Sequence, residues 1–120
     1  MKADLYVKLA GGQQTVGGYS VQVYSNGNSN TFGGSKTVDP LLGNYQFIQN
    51  TGAFTLVAPT VDCAIDILIG NNVGAGAITF SGFTVNSNTG EPLTTTNGHF
   101  FILSIRRMIN ISTYVIKALQ

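Results

Sequence analysis

The side chains able to support nucleophilic chemistry are few in this 120-residue chain, which contains one histidine and one cysteine. His99 and Cys63 could form a catalytic pair, because residues distant in sequence can meet in space. However, Cys63 leads directly into the apolar segment 64–69, where a free cysteine behaves as a small, inert hydrophobic side chain. His99 follows the turn residues Asn97 and Gly98. We therefore expect a structural cysteine and an ordinary solvated loop histidine.

Paired carboxylates are a second possible source of chemistry. Asp62 and Asp66 would share one face of a strand at a separation of about 13 Å, which exceeds the roughly 5–9.5 Å between the carboxylates of a glycosidase. Asp39 or Glu91 would have to approach from another strand. The chain has no cysteine pair, histidine cluster or EF-hand loop. The sequence therefore predicts a non-enzymatic protein without catalytic residues, cofactor or metal site.

Two other motifs are weak. The glycine-rich residues 74–79 begin like a dinucleotide-binding fingerprint, but they lead into a strand-like segment, whereas the fingerprint requires the amino terminus of a helix. We expect a β-turn there. The sequon Asn110-Ile111-Ser112 is a chance match in a chain rich in asparagine.

Charge and hydropathy exclude several classes of partner. Charged residues make up 9% of the chain and the formal net charge is +1, so no basic patch is available for nucleic acid, and Arg106-Arg107 is too short to form one. No apolar run approaches the roughly 20 residues that span a bilayer, so no membrane partner is expected. An acid at Asp4 argues against a signal peptide. A weakly charged surface favours oligomerisation.

The elements that position these residues are predicted to be strands, because apolar and polar residues alternate with period two. Ile65, Ile67 and Ile69 should form a row facing the core. Seven to nine short strands with polar turns every 8–12 residues or so are typical of β-sandwiches. We predict an all-β protein with a single antiparallel β-sandwich, jelly-roll or immunoglobulin-like, and an open barrel as the alternative. The predicted strands are residues 5–9, 19–24, 45–48, 54–57, 64–69, 77–85, 100–107 and 112–119.

The chain divides into two parts by composition. Residues 1–42 form an extended amino-terminal arm with strands and loops rich in Gly, Asn and Ser, and no charged residue occurs between Lys8 and Lys36. Residues 43–120 form the β-sandwich module. The five Tyr and seven Phe residues could line a shallow carbohydrate site, but aromatic side chains dominate cores and subunit interfaces. Packing is therefore the favoured interpretation.

Residues 43–120 also resemble a module found in small virion structural proteins of tailed bacteriophages. The resemblance rests on residues 58–62, 76–85, 94–99 and 112–120. It departs from the module at the last turn, where Asn110 is followed by Ile111 and not by glycine. The resemblance implies a virion protein assembled in the host cytoplasm.

The specific expectation is a capsid decoration (cement) protein that binds the major capsid protein or other virion proteins and stabilises the assembled head. It would act as a homotrimer. The candidate subunit interface comprises Phe100, Phe101, Tyr114 and Ile116. The candidate capsid-contacting arm comprises Leu5, Tyr6, Val7, Tyr19, Val21 and Val23.

Two alternatives remain open. A tail fibre or tail-tip module that recognises host surface glycans predicts an exposed Tyr/Asn/Gln cluster at one end of the sandwich. A small enzyme, such as a glycan hydrolase, predicts that Asp62, Glu91 and His99 converge in a pocket.

Overall fold

The computed structural model of the chain describes the backbone of residues 21–25 and all atoms of residues 34–120. These residues form strands and one short 3-10 turn, Pro40–Leu42, without an α-helix. The prediction of an all-β protein is confirmed. The strands are β1 Val21–Ser25, β2 Ser35–Thr37, β3 Tyr45–Asn50, β4 Phe54–Val57, β5 Cys63–Asn71, β6 Ile78–Ser81, β7 Thr89–Gly90, β8 Phe100–Met108 and β9 Ile111–Ala118. The predicted strand at residues 5–9 lies outside the described residues.

Strands β1 to β6 alternate between two sheets, and neighbours within each sheet run parallel. Strands β1, β3 and β5 lie side by side in the first sheet, and β2, β4 and β6 form the second. The chain therefore winds as a coil in which each turn gives one strand to each sheet. Tyr45 aligns with Asp66 one turn later, and Ser35 aligns with Thr55. Such repeats are stabilised mainly by contacts between neighbouring turns.

The expected single antiparallel sandwich is not confirmed, because both sheets contain parallel pairs. The sequence signal was the period-two alternation, which is the same for a strand that pairs with its predecessor and for one that crosses to the other sheet. The turn at residues 51–53 sends the chain across to the second sheet, so β3 and β4 do not form a hairpin. Among the described strands, antiparallel pairing is confined to β5 with β8 and β8 with β9.

The last two long strands close one end of the coil. Strand β8 pairs with β5 over eight aligned residue pairs, and β9 pairs with β8. Strand β7 then adds to β9, which gives the first sheet the order β1-β3-β5-β8-β9-β7. The predicted strands 100–107 and 112–119 thus form a hairpin, and it extends the six-stranded sheet beyond the three-stranded one.

The core lies between the two sheets. Ile65, Ile67 and Ile69 are buried to 3%, 0% and 0% exposure, as their alternation predicted. Phe54 and Leu56 of β4 belong to the same buried cluster from the second sheet. Full burial of one such side chain stabilises the fold by about 1.5–3 kcal/mol. Buried residues completing the cluster are Val38, Ile48, Phe101, Leu103 and Ile105.

A buried asparagine joins successive turns of the coil. Asn50, at 0% exposure, is aligned with Asn71 of the next turn. The Nδ2 group of Asn50 donates to Asn71 Oδ1 at 3.1 Å and to the Gly76 carbonyl at 2.9 Å. Its Oδ1 atom accepts the N–H groups of Gly52 and Gly76 at 3.3 and 3.2 Å. One side chain therefore ties together the loops after β3 and after β5.

Asn71 continues this network toward the segment before β8. Its Nδ2 group donates to the carbonyls of Thr94 and Thr96 at 2.7 and 3.1 Å. Backbone bonds from Asn71 N–H to His99 O and from Gly98 N–H to Asn71 O close the same corner. We call Asn50 and Asn71 the asparagine ladder. All four of their amide donor positions are used, as buried polar groups require.

The turn between β8 and β9 has two residues, although it lacks the expected glycine. Met108 pairs with Ile111, and Ile109 adopts a φ of 60°. A β-branched residue is disfavoured in this left-handed region. The Ile109 N–H donates to Asp62 Oδ2 at 3.1 Å, which holds the turn against the start of β5.

Replacing Ile109 by Asn is expected to stabilise the protein by about 1 kcal/mol, because Asn tolerates a positive φ that costs other L-residues about 1–2 kcal/mol. The Ile109 side chain is 81% exposed, so little packing is lost. Chemical denaturation measures the effect. The matched control is Val85→Asn, which removes another exposed β-branched side chain at a position without a positive φ. A gain of the same size in both variants would contradict the backbone explanation.

Candidate functional site

Cys63 and His99, the candidate catalytic pair, lie at opposite ends of the β5–β8 ladder. Cys63 aligns with Arg107 at one end, and Gly70 aligns with Phe100, the neighbour of His99, at the other. Seven residues of strand separate these ends, or about 23 Å. Cys63 and His99 therefore do not form a nucleophilic pair.

Cys63 is half-buried and packs against the core cluster. Burial raises the pKa of the Cys63 thiol above its usual 9.0, and the negative charge of Asp62 raises it further, while Arg107 acts in the opposite direction. Since the thiolate is the reactive form, this environment suppresses nucleophilic reactivity. The packing agrees with the structural role expected from the sequence.

The raised pKa of Cys63 predicts that the protein loses stability as pH rises through 9.0. Above that value the unfolded thiol ionises while the folded thiol keeps its proton, so the native state binds more protons and the free energy of unfolding falls with pH. Urea denaturation between pH 7.5 and 10.5 measures this slope. Cys63→Ala should lack this contribution, and an unchanged slope in that variant would contradict the assignment.

The three candidate residues Asp62, Glu91 and His99 each serve local structure. Asp62 accepts from the Ile109 N–H and faces Arg107 Nε at 3.7 Å. Glu91 accepts from the Ala118 N–H near the opposite end of β9. His99 Nδ1 shares a hydrogen bond of 2.8 Å with Thr94 Oγ1.

Asp62 therefore does not converge with Glu91 and His99. In the part of the chain with described side chains, no three His, Cys, Asp or Glu residues assemble as a metal-binding group. Within that same part, no helix is long and apolar enough to cross a membrane.

The four candidate interface residues occupy different environments. Phe101 is fully buried at 0% exposure, so its side chain is committed to the core of its own chain. Tyr114 stacks on Phe80 with ring centroids 4.1 Å apart, and Ile116 is also partly buried against the core. Only Phe100 of the four is exposed, at 41%. The inward positions of Phe101, Tyr114 and Ile116 follow from the alternation of side chains along β8 and β9.

The candidate capsid-contacting arm can be placed only in part. Val21 and Val23 lie in β1, at the edge of the first sheet as described. Leu5, Tyr6, Val7 and Tyr19 lie outside the described residues.

A groove runs beside β2 and the 3-10 turn. It has a volume of about 590 Å³ and is lined by residues 35–41 with Thr60 and Val61. Leu41 and Val61 are 92% and 54% exposed. The Asp39 carboxylate accepts from the Leu41 N–H at 2.9 Å, and the turn is held further by Gln46, whose Nε2 donates to Asp39 O. We call this feature the edge groove; Leu41 projects into it from a backbone held by these bonds.

The three-stranded sheet presents hydroxyl groups outward. Ser35, Thr55 and Thr79 are aligned across β2, β4 and β6. The hydroxyls of Thr55 and Thr79 lie 2.7 Å apart in a hydrogen bond. A shallow depression of about 340 Å³ borders all three residues. We call them the hydroxyl row.

The outward face of the six-stranded sheet is partly apolar. Phe47, Leu68 and Ile102 are aligned across β3, β5 and β8 and are half-buried. Val115 and Leu119 add apolar surface at 47% and 46% exposure. The face carries three charged side chains, Asp66, Arg106 and Lys117. We call this surface, on β3, β5, β8 and β9, the outer face.

The chain matches no protein-family model, no curated protein and no solved structure.

Proposed function

We propose that this chain is a non-enzymatic structural protein of a tailed-bacteriophage virion, and that it acts as a capsid decoration protein. The proposal joins the resemblance of residues 43–120 to the geometry of the edge groove. It assigns the groove to a segment of a capsid protein.

The edge groove is the observation that carries the proposal. β2 lies at the edge of the second sheet as described, so an extended segment can approach it along the strand. Leu41 and Val61 supply exposed apolar anchors in the lining of the groove. The backbone of Leu41 is fixed by the Asp39 cap and by the Gln46 hydrogen bonds to Asp39 O and Gly43 O. A preorganised groove loses less entropy on binding.

Stabilisation of the head would follow from mass action. A protein that binds the assembled lattice and not its disrupted form shifts the equilibrium toward the lattice. The amino-terminal arm, with Leu5, Tyr6 and Val7, would extend this contact along neighbouring capsid subunits.

Copy number per virion tests the proposed location. Quantitative mass spectrometry of purified particles is expected to find the chain at an abundance close to that of the major capsid protein. A few copies per particle would place it on the tail, and absence from particles would overturn a virion role.

Variants of the groove test the proposed contact. Leu41→Asp and Val61→Asp are expected to weaken binding to heads that lack the protein by about tenfold or more, because each puts a charge into an apolar contact. Val73→Asp is the matched control, since Val73 is 88% exposed in the turn before β6 and outside the groove. Equal binding by all three variants would show that the groove is not the contact.

A tail-fibre or tail-tip module that recognises host glycans is the second candidate. The hydroxyl row favours it, because aligned hydroxyls beside a shallow depression can hydrogen-bond to a neutral sugar chain. Thr79→Val would then reduce binding to host-surface polysaccharide, while head binding would be unchanged.

A further inference from the structure

We propose that the outer face pairs two copies of this chain about a two-fold axis, sheet against sheet. This inference does not rest on the proposed function. It uses a surface distinct from the edge groove and from the hydroxyl row.

The chemistry of the outer face suits a partner with the same face. Its centre is formed by Leu68 and Ile102, flanked by the half-exposed Phe100 and Val115. Large apolar side chains of this kind lie at the core of subunit interfaces. The face also carries both signs of charge, so a second copy can complement it.

The strand register fixes where those charges lie. Asp66 of β5 is aligned with Ser104 of β8, and Lys117 of β9 is aligned with Ile102 of β8. Because β8 lies between β5 and β9, the midpoint between Asp66 and Lys117 falls on β8, between Ile102 and Ser104. A two-fold axis in the interface at that point sets Asp66 of each copy against Lys117 of the other.

The same axis matches the apolar side chains. The outward-facing residues can be placed on a flat grid, with strands about 4.8 Å apart and residues about 6.6 Å apart along each strand. On this grid the two-fold axis that exchanges Asp66 with Lys117 also exchanges Phe47 with Phe100. It brings Leu68 to within about 3 Å of the position of Ile102 on the same grid. One symmetry operation thus satisfies the charged pair and two apolar pairs, which is the self-complementarity that an isologous interface requires.

The area of the face is of the order that such a pair buries. Strands β5, β8 and β9 contain 9, 9 and 8 residues, which corresponds to a length of about 26–30 Å. The four strands of the outer face give a width of about 19 Å. The projected area is therefore roughly 500–570 Å², and the corrugated accessible surface is larger. Stable interfaces bury about 800 Å² per partner.

This arrangement differs from the threefold assembly expected from the sequence. Of the residues expected to form that interface, Phe101 is fully buried, and Tyr114 and Ile116 face the core. Phe100 keeps an interface role here, now opposite Phe47 of the second copy.

Charge exchange tests the proposal directly. Sedimentation equilibrium of the full chain at 1–100 µM is expected to show a monomer–dimer equilibrium. Asp66→Lys and Lys117→Asp should each raise the dimer dissociation constant about tenfold or more, because each creates two like-charge contacts per dimer. Mixing the two variants should restore dimers as a heterodimer, since both contacts then join Lys and Asp. The double variant should self-associate like the original chain.

Ser81→Lys is the matched control, because Ser81 is exposed on β6 of the other sheet. It should leave the dissociation constant unchanged, and circular dichroism should show all variants folded. A monomer throughout the concentration range, a trimer, or single variants that fail to recover on mixing would each overturn the proposal. A chain that is monomeric alone and dimerises only on a capsid would overturn it as well.

Discussion

Asn50→Asp is expected to lower the free energy of unfolding at pH 7 by about 3–5 kcal/mol, the range for breaking a buried hydrogen-bonded polar network. The substitution keeps the shape of the side chain but replaces its two N–H donors with an oxygen. That oxygen would face Asn71 Oδ1 and the Gly76 carbonyl, both acceptors, at a site with 0% exposure. Urea denaturation followed by circular dichroism measures the loss.

Asn72, the residue after Asn71, supplies a control with the same chemical change. Asn72 uses only its Oδ1 atom in the hydrogen bond shown for its side chain, accepting from the Gly74 N–H at 2.7 Å, and a carboxylate can accept that bond equally well. Asn72→Asp should therefore change stability by less than about 0.5 kcal/mol. The Asn50 variant should also recover part of its stability in acid, because a protonated carboxyl can donate one bond. Equal effects at the two sites would contradict the role assigned to the asparagine ladder.

Gly76→Ala is expected to cost about 3 kcal/mol or more, or to prevent folding. A Cβ atom at Gly76 would lie 2.1 Å from the Ala53 nitrogen and 2.6 Å from the Gly52 carbonyl carbon. Both are backbone atoms of the preceding turn, so no side-chain movement can relieve the clash, and overpacking of this kind is at the severe end of its usual range. Thermal unfolding and soluble expression measure the effect.

Gly52→Ala is the matched control for that substitution. Gly52 lies in the facing loop, yet a Cβ atom there meets nothing within 4 Å, and its φ is not positive. Alanine should be neutral or stabilising by up to about 1 kcal/mol, through a less flexible unfolded chain. If both alanine variants unfold at the same temperature, turns of the coil do not approach each other as closely as described.

The individual strands could be predicted from the sequence because each carries its own period-two alternation. The predicted segment 54–57 coincides with β4, and the row Ile65, Ile67 and Ile69 is buried as expected. Their pairing could not be obtained in the same way. Alternation tells which side of a strand is buried, but it does not tell which strand lies beside it.

A signal for the coil was nevertheless present as a repeat. Ile48-Gln49-Asn50 recurs as Ile69-Gly70-Asn71, and in both copies the asparagine is followed by a Gly- and Ala-containing loop and a second apolar strand. The copies differ in length by insertions in that loop, which obscures the period. Fixed-spacing self-similarity is typical of coiled repeat architectures.

The candidate surfaces were harder to predict than the strands. The sequence identified Phe100 as an interface residue, but grouping it with Phe101 overlooked that neighbouring residues on a strand face opposite sides. The edge groove joins residues 35–41 to Thr60 and Val61, and this contact depends on the parallel pairing of β2 with β4. Without that pairing, nothing in the local pattern brings these segments together.

The winding of β1 to β6 also determines which changes in length the molecule can accept during evolution. One whole turn is about 21 residues long, the separation of Tyr45 from its partner Asp66. Insertion of such a turn would keep every inward residue inward and would lengthen both sheets together. Insertion of a single residue within a strand would turn the rest of that strand inside out. Relatives of this protein should therefore differ by complete turns or by loop insertions such as the one that makes the loop after Asn71 longer than the loop after Asn50.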